Sequence, residues 1–360
     1  MSSLSSLKSA GTSTWLDDLS RDRLDSGNLA ELIEDAGILG VTTNPSIFQA
    51  AMTAGTRYDG QLAELREAKA NADDAVYQMA IADVQRACDA FADVHERTNG
   101  LDGWVSIEVD PRIAHDADAT LAQAKSLVER VARDNVMIKI PATVEALPAI
   151  SDALAAGISV NVTLIFSEVR YRAVMDAYVA GIRRAAAAGL DVSRIHSVAS
   201  FFISRVDAEI DKRLAALGSE EAKELQGKAA IANARLAYAA FREVFDHAEL
   251  PDGANIQRPL WASTSVKNPD YPATLYVDEL AGPHTVNTMP ESTLNAVLAG
   301  NGEFSDRLSG LDAAARDVFA QLDHVGIDLG DVFEQLEREG VEKFEISWSD
   351  LLQSIAGKLN

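Results

Sequence analysis

The run Val136-Met137-Ile138-Lys139-Ile140-Pro141-Ala142 has the composition of a buried strand, yet it carries a lysine at its centre. An ammonium group in such a place pays heavily in lost hydration, so its presence asks for a use. Strand side chains alternate between faces, which sets Met137 and Lys139 opposite Val136, Ile138 and Ile140. The same period groups Val105, Ile107 and Val109 in "GWVSIEVD", with Ser106, Glu108 and Asp110 on the other face. In "SVNVTLIF" it groups Val160, Val162 and Leu164 against Asn161, Thr163 and Ile165. Glu108, Lys139, Asn161 and Thr163 are therefore candidates to meet. A lysine among apolar neighbours has its charged form disfavoured, so free amine becomes available. Free amine attacks a carbonyl to give a Schiff base, an electron sink for breaking the adjacent C–C bond. That chemistry needs a proton shuttle for carbinolamine dehydration and a base at the departing hydroxyl. Glu108 suits the first role, and a carboxylate of "WLDDL" suits the second. Neither a metal nor an organic cofactor is required.

Such side chains must be held by successive strands, and the chain alternates strand-like and helical runs throughout. Strands are predicted at "TWLDDL", "GVTTNP", "GWVSIEVD", "VMIKIPA", "SVNVTLIF", "RIHSVASFF", "RPLWAST" and "HTVNTMP". Amphipathic helices lie between most of them. "SEVRYRAVMDAYVAGIRRAAAAG" opens on Ser167 as N-cap and closes on Gly189. Strands joined by helical crossovers predict a (β/α)8 TIM barrel, an α/β fold. Aliphatic strand faces would then meet the outer helices, and polar faces the interior near the C-terminal mouth. Residues 46–102 and 203–255 read as helical insertions, and 291–360 as a C-terminal helical extension of one domain spanning 1–360. In that tail Trp348, Leu351, Leu352, Ile355 and Leu359 form an apolar stripe expected to pack against the barrel.

Composition removes other classes. The formal net charge of −23 over 360 residues argues against nucleic acid or an anionic membrane surface as partner. The single cysteine, Cys88, excludes a disulfide framework and suits a reducing cytoplasm, where the protein is expected. The N-terminal stretch lacks the apolar core of a signal peptide, and no later run has the length of a membrane span. "GNGEFSD" lacks the third glycine and preceding strand of a dinucleotide site, and "QGKAA" lacks the upstream glycine and Ser/Thr of a phosphate loop. The six histidines are scattered without metal-ligand spacing.

"GVTTNPSIF", Gly40 to Phe48, resembles the transaldolase signature, and "VMIKIPAT" resembles the segment that carries that family's Schiff-base lysine. "SIEVD", "NVTLIFS" and Ser200, Phe202 and Arg205 follow in the family's order, so the resemblance runs from Asp17 to about Asn287. It implies that Lys139 bonds to the ketose C2 and that Glu108, with Thr163 and a bound water, transfers the protons. It favours Asp17 over Asp18 as the base at the C4 hydroxyl. Asn44, Asn161 and Ser200 would hold the retained three-carbon unit, with Thr42 lining the same pocket, and Arg205 would grip the phosphate. The implied reaction moves dihydroxyacetone from sedoheptulose 7-phosphate to glyceraldehyde 3-phosphate, giving erythrose 4-phosphate and fructose 6-phosphate. That is a step of the pentose phosphate pathway, and its substrates are sugar phosphates. The chain departs from the dimeric subfamily in one respect: Lys267, in "STSVKNPDY", stands where a second phosphate-binding arginine is expected. No oligomeric state carries over, a monomer and a homodimer both remaining open. Two alternatives are a fructose-6-phosphate aldolase of the same superfamily and a non-catalytic sugar-phosphate-binding barrel. The aldolase branch typically has tyrosine at the position of Phe202 and glutamine at that of Glu108, so both residues here point to transfer. A binding module has no need of the desolvated amine.

Overall fold

In the computed structural model, which describes residues 3–300 and 302–359, the strands close into a barrel in the order β1-β2-β3-β4-β5-β6-β7-β8. They are β1 Thr12–Leu16, β2 Gly40–Val41, β3 Trp104–Glu108, β4 Val136–Pro141, β5 Val160–Ile165, β6 Ser197–Phe202, β7 Arg258–Ala262 and β8 Thr285–Met289, every neighbouring pair being parallel. Each predicted strand is present. β1 starts two residues earlier than expected and ends at Leu16, which leaves Asp17 at its C-terminal edge. Because parallel strands need a crossover, helices fill the connections and cover the outer faces. The Glu168–Ala187 helix begins as its sequence predicts: the Ser167 hydroxyl accepts the Arg170 N–H at 3.1 Å. Its exit runs through Gly189 at φ +80°, a left-handed conformation that glycine adopts without a Cβ clash.

The expected period of two fails within β5. Leu164 sits at φ +62°, and the register between β5 and β6 shifts between Val162 and Ile165. Ile165 pairs with Phe201, whose ring packs on Tyr171 and Trp261, and so joins the outward set rather than the face of Asn161 and Thr163. A bulge of this kind re-aims the strand end, here at the mouth of the barrel.

The N-terminal end of the barrel is plugged by a buried polar cluster. Arg258 pairs with Asp102 at 3.1 Å, and Asp102 also accepts from Ser13 at 2.8 Å and Trp15 at 3.0 Å. With that end filled, open volume is left to the C-terminal mouth. Between β2 and β3 run the helices Pro45–Thr53, Asp59–Glu67, Ala72–Ala90 and Ala92–Arg97, and after β6 run Ser204–Leu217, Glu220–Glu224 and Ala229–His247.

The last helix, Leu329–Leu359, packs on the Pro45–Thr53, Ala72–Ala90 and Ser204–Leu217 helices and on the end of β5. It therefore crosses the mouth. Trp348, Leu351 and Ile355 of the predicted stripe are buried, while Leu352 and Leu359 are half-buried at its edge. The buried face continues upstream through Phe344, Val341 and Gly340. Gly340 has a packing reason: a Cβ there would meet Leu164 at 3.1 Å and Phe166 at 3.3 Å. Among the described residues no helix is long and apolar enough to cross a membrane.

Candidate active site

The register of the barrel aligns Glu108 on β3 with Lys139 on β4, and Lys139 with Asn161 on β5. Three polar side chains thus share one row of the barrel's inner wall. Lys139 is buried, and its Nζ lies 3.3 Å from Glu108 Oε1 and donates to the Thr43 carbonyl at 2.5 Å. The expectation of apolar surroundings for this amine is corrected here. Its strand neighbours are aliphatic, but they face outward, while the amine itself meets a carboxylate and a carbonyl. Glu108 Oε2 lies 2.9 Å from the Thr43 hydroxyl, whose single proton is shared in reach with the Ser106 carbonyl at 2.8 Å. Burial pushes the Glu108 carboxyl above the usual range, opposed by Lys139 and Thr43.

Asp17 and Asp18 separate cleanly. Asp18 is taken by Arg23 at 2.6 Å, and Arg23 also holds Glu291 at 3.0 Å. Asp17 instead accepts from the Thr42 hydroxyl at 2.7 Å, and Thr42 lies 2.6 Å from the Thr288 hydroxyl. With Asp17 ionised, the only consistent order is Thr288 donating to Thr42 and Thr42 to Asp17. Thr42 therefore orients Asp17 as well as lining the pocket. Desolvation raises the Asp17 pKa, with Lys139, Thr42 and Arg205 pulling it back.

Two spaces meet at Lys139. The larger, about 840 Å³, opens to solvent and is lined by Asp17, Thr42, Asn44, Lys139, Ser200, Phe202, Arg205 and Lys267 among others. The smaller, about 10 Å³, is enclosed and bordered by Glu108, Lys139, Thr163 and Leu164, with Val341 and Phe344 of the last helix. Thr163 Oγ1 is buried and lacks a hydrogen-bond partner, and Glu108 Oε1, also buried, has the Lys139 ammonium at 3.3 Å as its partner. Glu108 and Thr163 thus face the enclosed space, not the open one. Asn161 is fully buried: its Nδ2 donates to Ser106 at 3.0 Å, and its Oδ1 accepts from Ser200 at 2.7 Å. It does not line the open cavity, and Ser200 stands between. Asn44 spends its Oδ1 on the Ile47 N–H at 3.0 Å, capping the Pro45–Thr53 helix, so its Nδ2 is what it can offer a ligand.

Arg205, in the first turn of the Ser204–Leu217 helix, stacks over the Phe202 ring at 4.9 Å. Its Nη1 is buried without a partner, and Asp17 and Glu339 act on it only through space. Burial lowers its pKa from the usual arginine value. Lys267 is exposed, donates to the Ser265 hydroxyl at 2.8 Å, and has its pKa lowered by desolvation and by Arg205. These two cations face a common space that the carboxylates leave unneutralised. Ser263, between them in the loop after β7, holds φ +56°, a strained value of the sort found at binding sites.

Asp110 serves the local backbone instead, accepting the Arg112 N–H at 2.9 Å and capping the turn Pro111–Ile113. Three neighbours escaped the sequence reading. Thr43 lies in the signature stretch, but a strand period of two would put it on the face opposite Thr42. β2 is only two residues long, so the segment beyond it crosses the mouth and both threonines reach the site. Thr288 is polar and inward by parity on β8, a legible signal. Phe344 carried none, being one apolar residue of a helical stripe. Among the described residues no group of three or more His, Cys, Asp or Glu has the geometry to hold a metal ion.

Residues 14–355 match the family model described as Transaldolase/Fructose-6-phosphate aldolase. The chain is 58% identical to the transaldolase of Mycolicibacterium smegmatis over 99% of its own length and 97% of that protein. It is 57% identical, with the same shares covered, to the transaldolases of Mycobacterium tuberculosis and Mycobacterium marinum. With the lysine, the two carboxylates and the paired cations gathered at one barrel mouth, the chain belongs to the transaldolase/fructose-6-phosphate aldolase family.

Proposed function

We propose that this protein is a transaldolase that carries a dihydroxyacetone unit from sedoheptulose 7-phosphate to glyceraldehyde 3-phosphate on Lys139. The observation that carries this reading is the position of the Lys139 amine. It borders an open cavity of sugar-phosphate size and an enclosed, water-sized one, with the Glu108 carboxylate 3.3 Å away.

Lys139 attacks the ketose C2, and Glu108 moves protons between the carbinolamine and a water held between Glu108 and Thr163. Water leaves and the iminium forms. Asp17 then takes the proton from the C4 hydroxyl as the C3–C4 bond breaks, and the electron pair flows into the iminium to give an enamine. Burial raises the Asp17 pKa, which favours its taking up that proton. The enamine adds to the incoming aldehyde, Asp17 returns the proton, and hydrolysis frees Lys139. Arg205 and Lys267 bind the phosphate, while Asn44 and Ser200 hold hydroxyls of the retained unit and Asn161 steadies Ser200. The retention of Phe202 and Glu108 favours transfer over release of free dihydroxyacetone. A cytoplasmic enzyme, acting as a monomer or homodimer, accompanies this reading.

The test is reduction with borohydride in the presence of fructose 6-phosphate, followed by peptide mass spectrometry. A three-carbon adduct on Lys139 is expected, and Lys139→Arg should abolish turnover because a guanidinium stays protonated. Labelling at another lysine, or at none, overturns the mechanism.

A further inference from the structure

The enclosed cavity and the open one share a bordering side chain that the reaction scheme does not use. Phe344, on the Leu329–Leu359 helix, borders both. It is 7% exposed, and Lys139 borders both spaces as well. On the far side of the enclosed space Val341, one turn earlier, separates it from a surface groove of about 450 Å³ between His115, Arg170 and Glu337. Gly340 lets the helix sit against Leu164 and Phe166, closer than any residue with a Cβ would allow without displacement. The helix thus brings two apolar side chains to the boundaries of the space lined by Glu108 and by Thr163, whose hydroxyl is buried without a partner.

We infer that Phe344 is a positioning residue that keeps the water serving Glu108 away from the former C3 of the enamine, and so sets the balance between transfer and release. This rests on the transaldolase reading of Lys139. The competing reaction is defined chemically. The enamine takes one proton at the former C3 and becomes an iminium. One water then adds to C2, the C–N bond breaks, and dihydroxyacetone leaves with Lys139 restored as an ammonium. Both routes end with one water adding to C2, so release differs from transfer only at the former C3, which takes a proton in place of the aldehyde. An aromatic ring bordering both spaces keeps the water held by Glu108 from delivering that proton to the former C3 while leaving it free to act at C2.

The experiment measures, on each enzyme, free dihydroxyacetone formed from fructose 6-phosphate alone and the transfer rate with glyceraldehyde 3-phosphate added. Their ratio is independent of how much enzyme is folded. A purely structural role for Phe344 lowers both rates together and leaves the ratio fixed. Phe344→Ala is expected to raise the ratio about tenfold, and Phe344→Leu, which restores apolar bulk, to bring it back toward the parent value. Should the alanine variant not fold, Phe344→Val decides by the same ratio. An unchanged ratio in the folded truncated variant overturns the proposal. Borohydride trapping on the parent enzyme separates the two readings. An adduct on Lys139 with an unresponsive ratio removes only the role of Phe344, whereas no adduct removes the mechanism beneath it.

Discussion

Arg205→Ala tests whether the two cations of the pocket are an anion site or part of the scaffold. In this structure the Arg205 guanidinium stacks on Phe202 at 4.9 Å, its Nη1 is buried without a partner, and carboxylates act on it only through space. Truncation therefore breaks no ion pair. It forfeits a cation–π contact of about 0.5–1 kcal/mol and some packing of the aliphatic stem, while relieving the desolvation of an unpaired charge. The melting temperature should stay near that of the parent, whereas breaking a buried ion pair would cost about 3–5 kcal/mol. Toward substrate the balance differs. Losing hydrogen bonds to a charged phosphate costs about 1.5–3 kcal/mol, which is roughly 10- to 150-fold in kcat/KM. The assay varies the acceptor at saturating donor, comparing glyceraldehyde 3-phosphate with unphosphorylated glyceraldehyde. The phosphorylated acceptor should lose by that factor and the other by far less. Screening reduces the repulsion from the −23 net charge over roughly 8 Å at physiological salt, so the local cations dominate. Arg205 also helps hold down the Asp17 pKa. Its removal lets that pKa rise, and since Asp17 must be ionised to act, the acid limb of the rate profile should move to higher pH. Equal losses for both acceptors, together with a clear drop in stability, would refute the reasoning and make Arg205 structural.

Three further outcomes are expected. Asp207 is a buried carboxyl whose pKa burial raises from 3.8 to about 6, against donors from Ala230 and Tyr276. Its neutral form is the better tolerated one, so its contribution to stability is present below the unfolded value and lost as pH rises through about 6. Thermal unfolding of Asp207→Asn should accordingly show a flatter pH dependence between the two values, and an unaltered slope would contradict this. Gly181→Ala places a Cβ 2.7 Å from the Ser151 carbonyl and 2.8 Å from Leu154, where the Leu147–Ala155 and Glu168–Ala187 helices touch. Overpacking should cost about 1–3 kcal/mol, only partly offset by about 1 kcal/mol of helix propensity, and a raised melting temperature would count against it. Phe202→Tyr adds a proton-donating hydroxyl at a ring that borders the open cavity. Free dihydroxyacetone from fructose 6-phosphate should increase relative to transfer, and sustained release by the parent at the transfer rate would make it an aldolase instead.

What the sequence determined by itself was whatever depends on neighbours a few residues away. The alternation of strands and helices, the Ser167 cap with its Gly189 exit, and the inward row of Glu108, Lys139 and Asn161 follow from periods of two and 3.6 and from local hydrogen bonding. Parity holds because a strand has no other way to present its side chains. It failed at Leu164, where a left-handed residue inserts a bulge whose shape is set by packing across the barrel mouth. It also failed at Thr43, because β2 stops after two residues and the chain beyond it obeys no strand period. Only tertiary structure decided which acid is held by Arg23 and which by Thr42, since adjacent aspartates differ in partners, not in chemistry. The same holds for the convergence of Arg205, from the first turn of a helix, and Lys267, from a loop, and for the last helix lying across the mouth. An apolar stripe announces that a helix is buried but not against what. Its partner is chosen by the closed shape of the whole barrel, and that choice brings Phe344 to the border of the cavity that Lys139 lines.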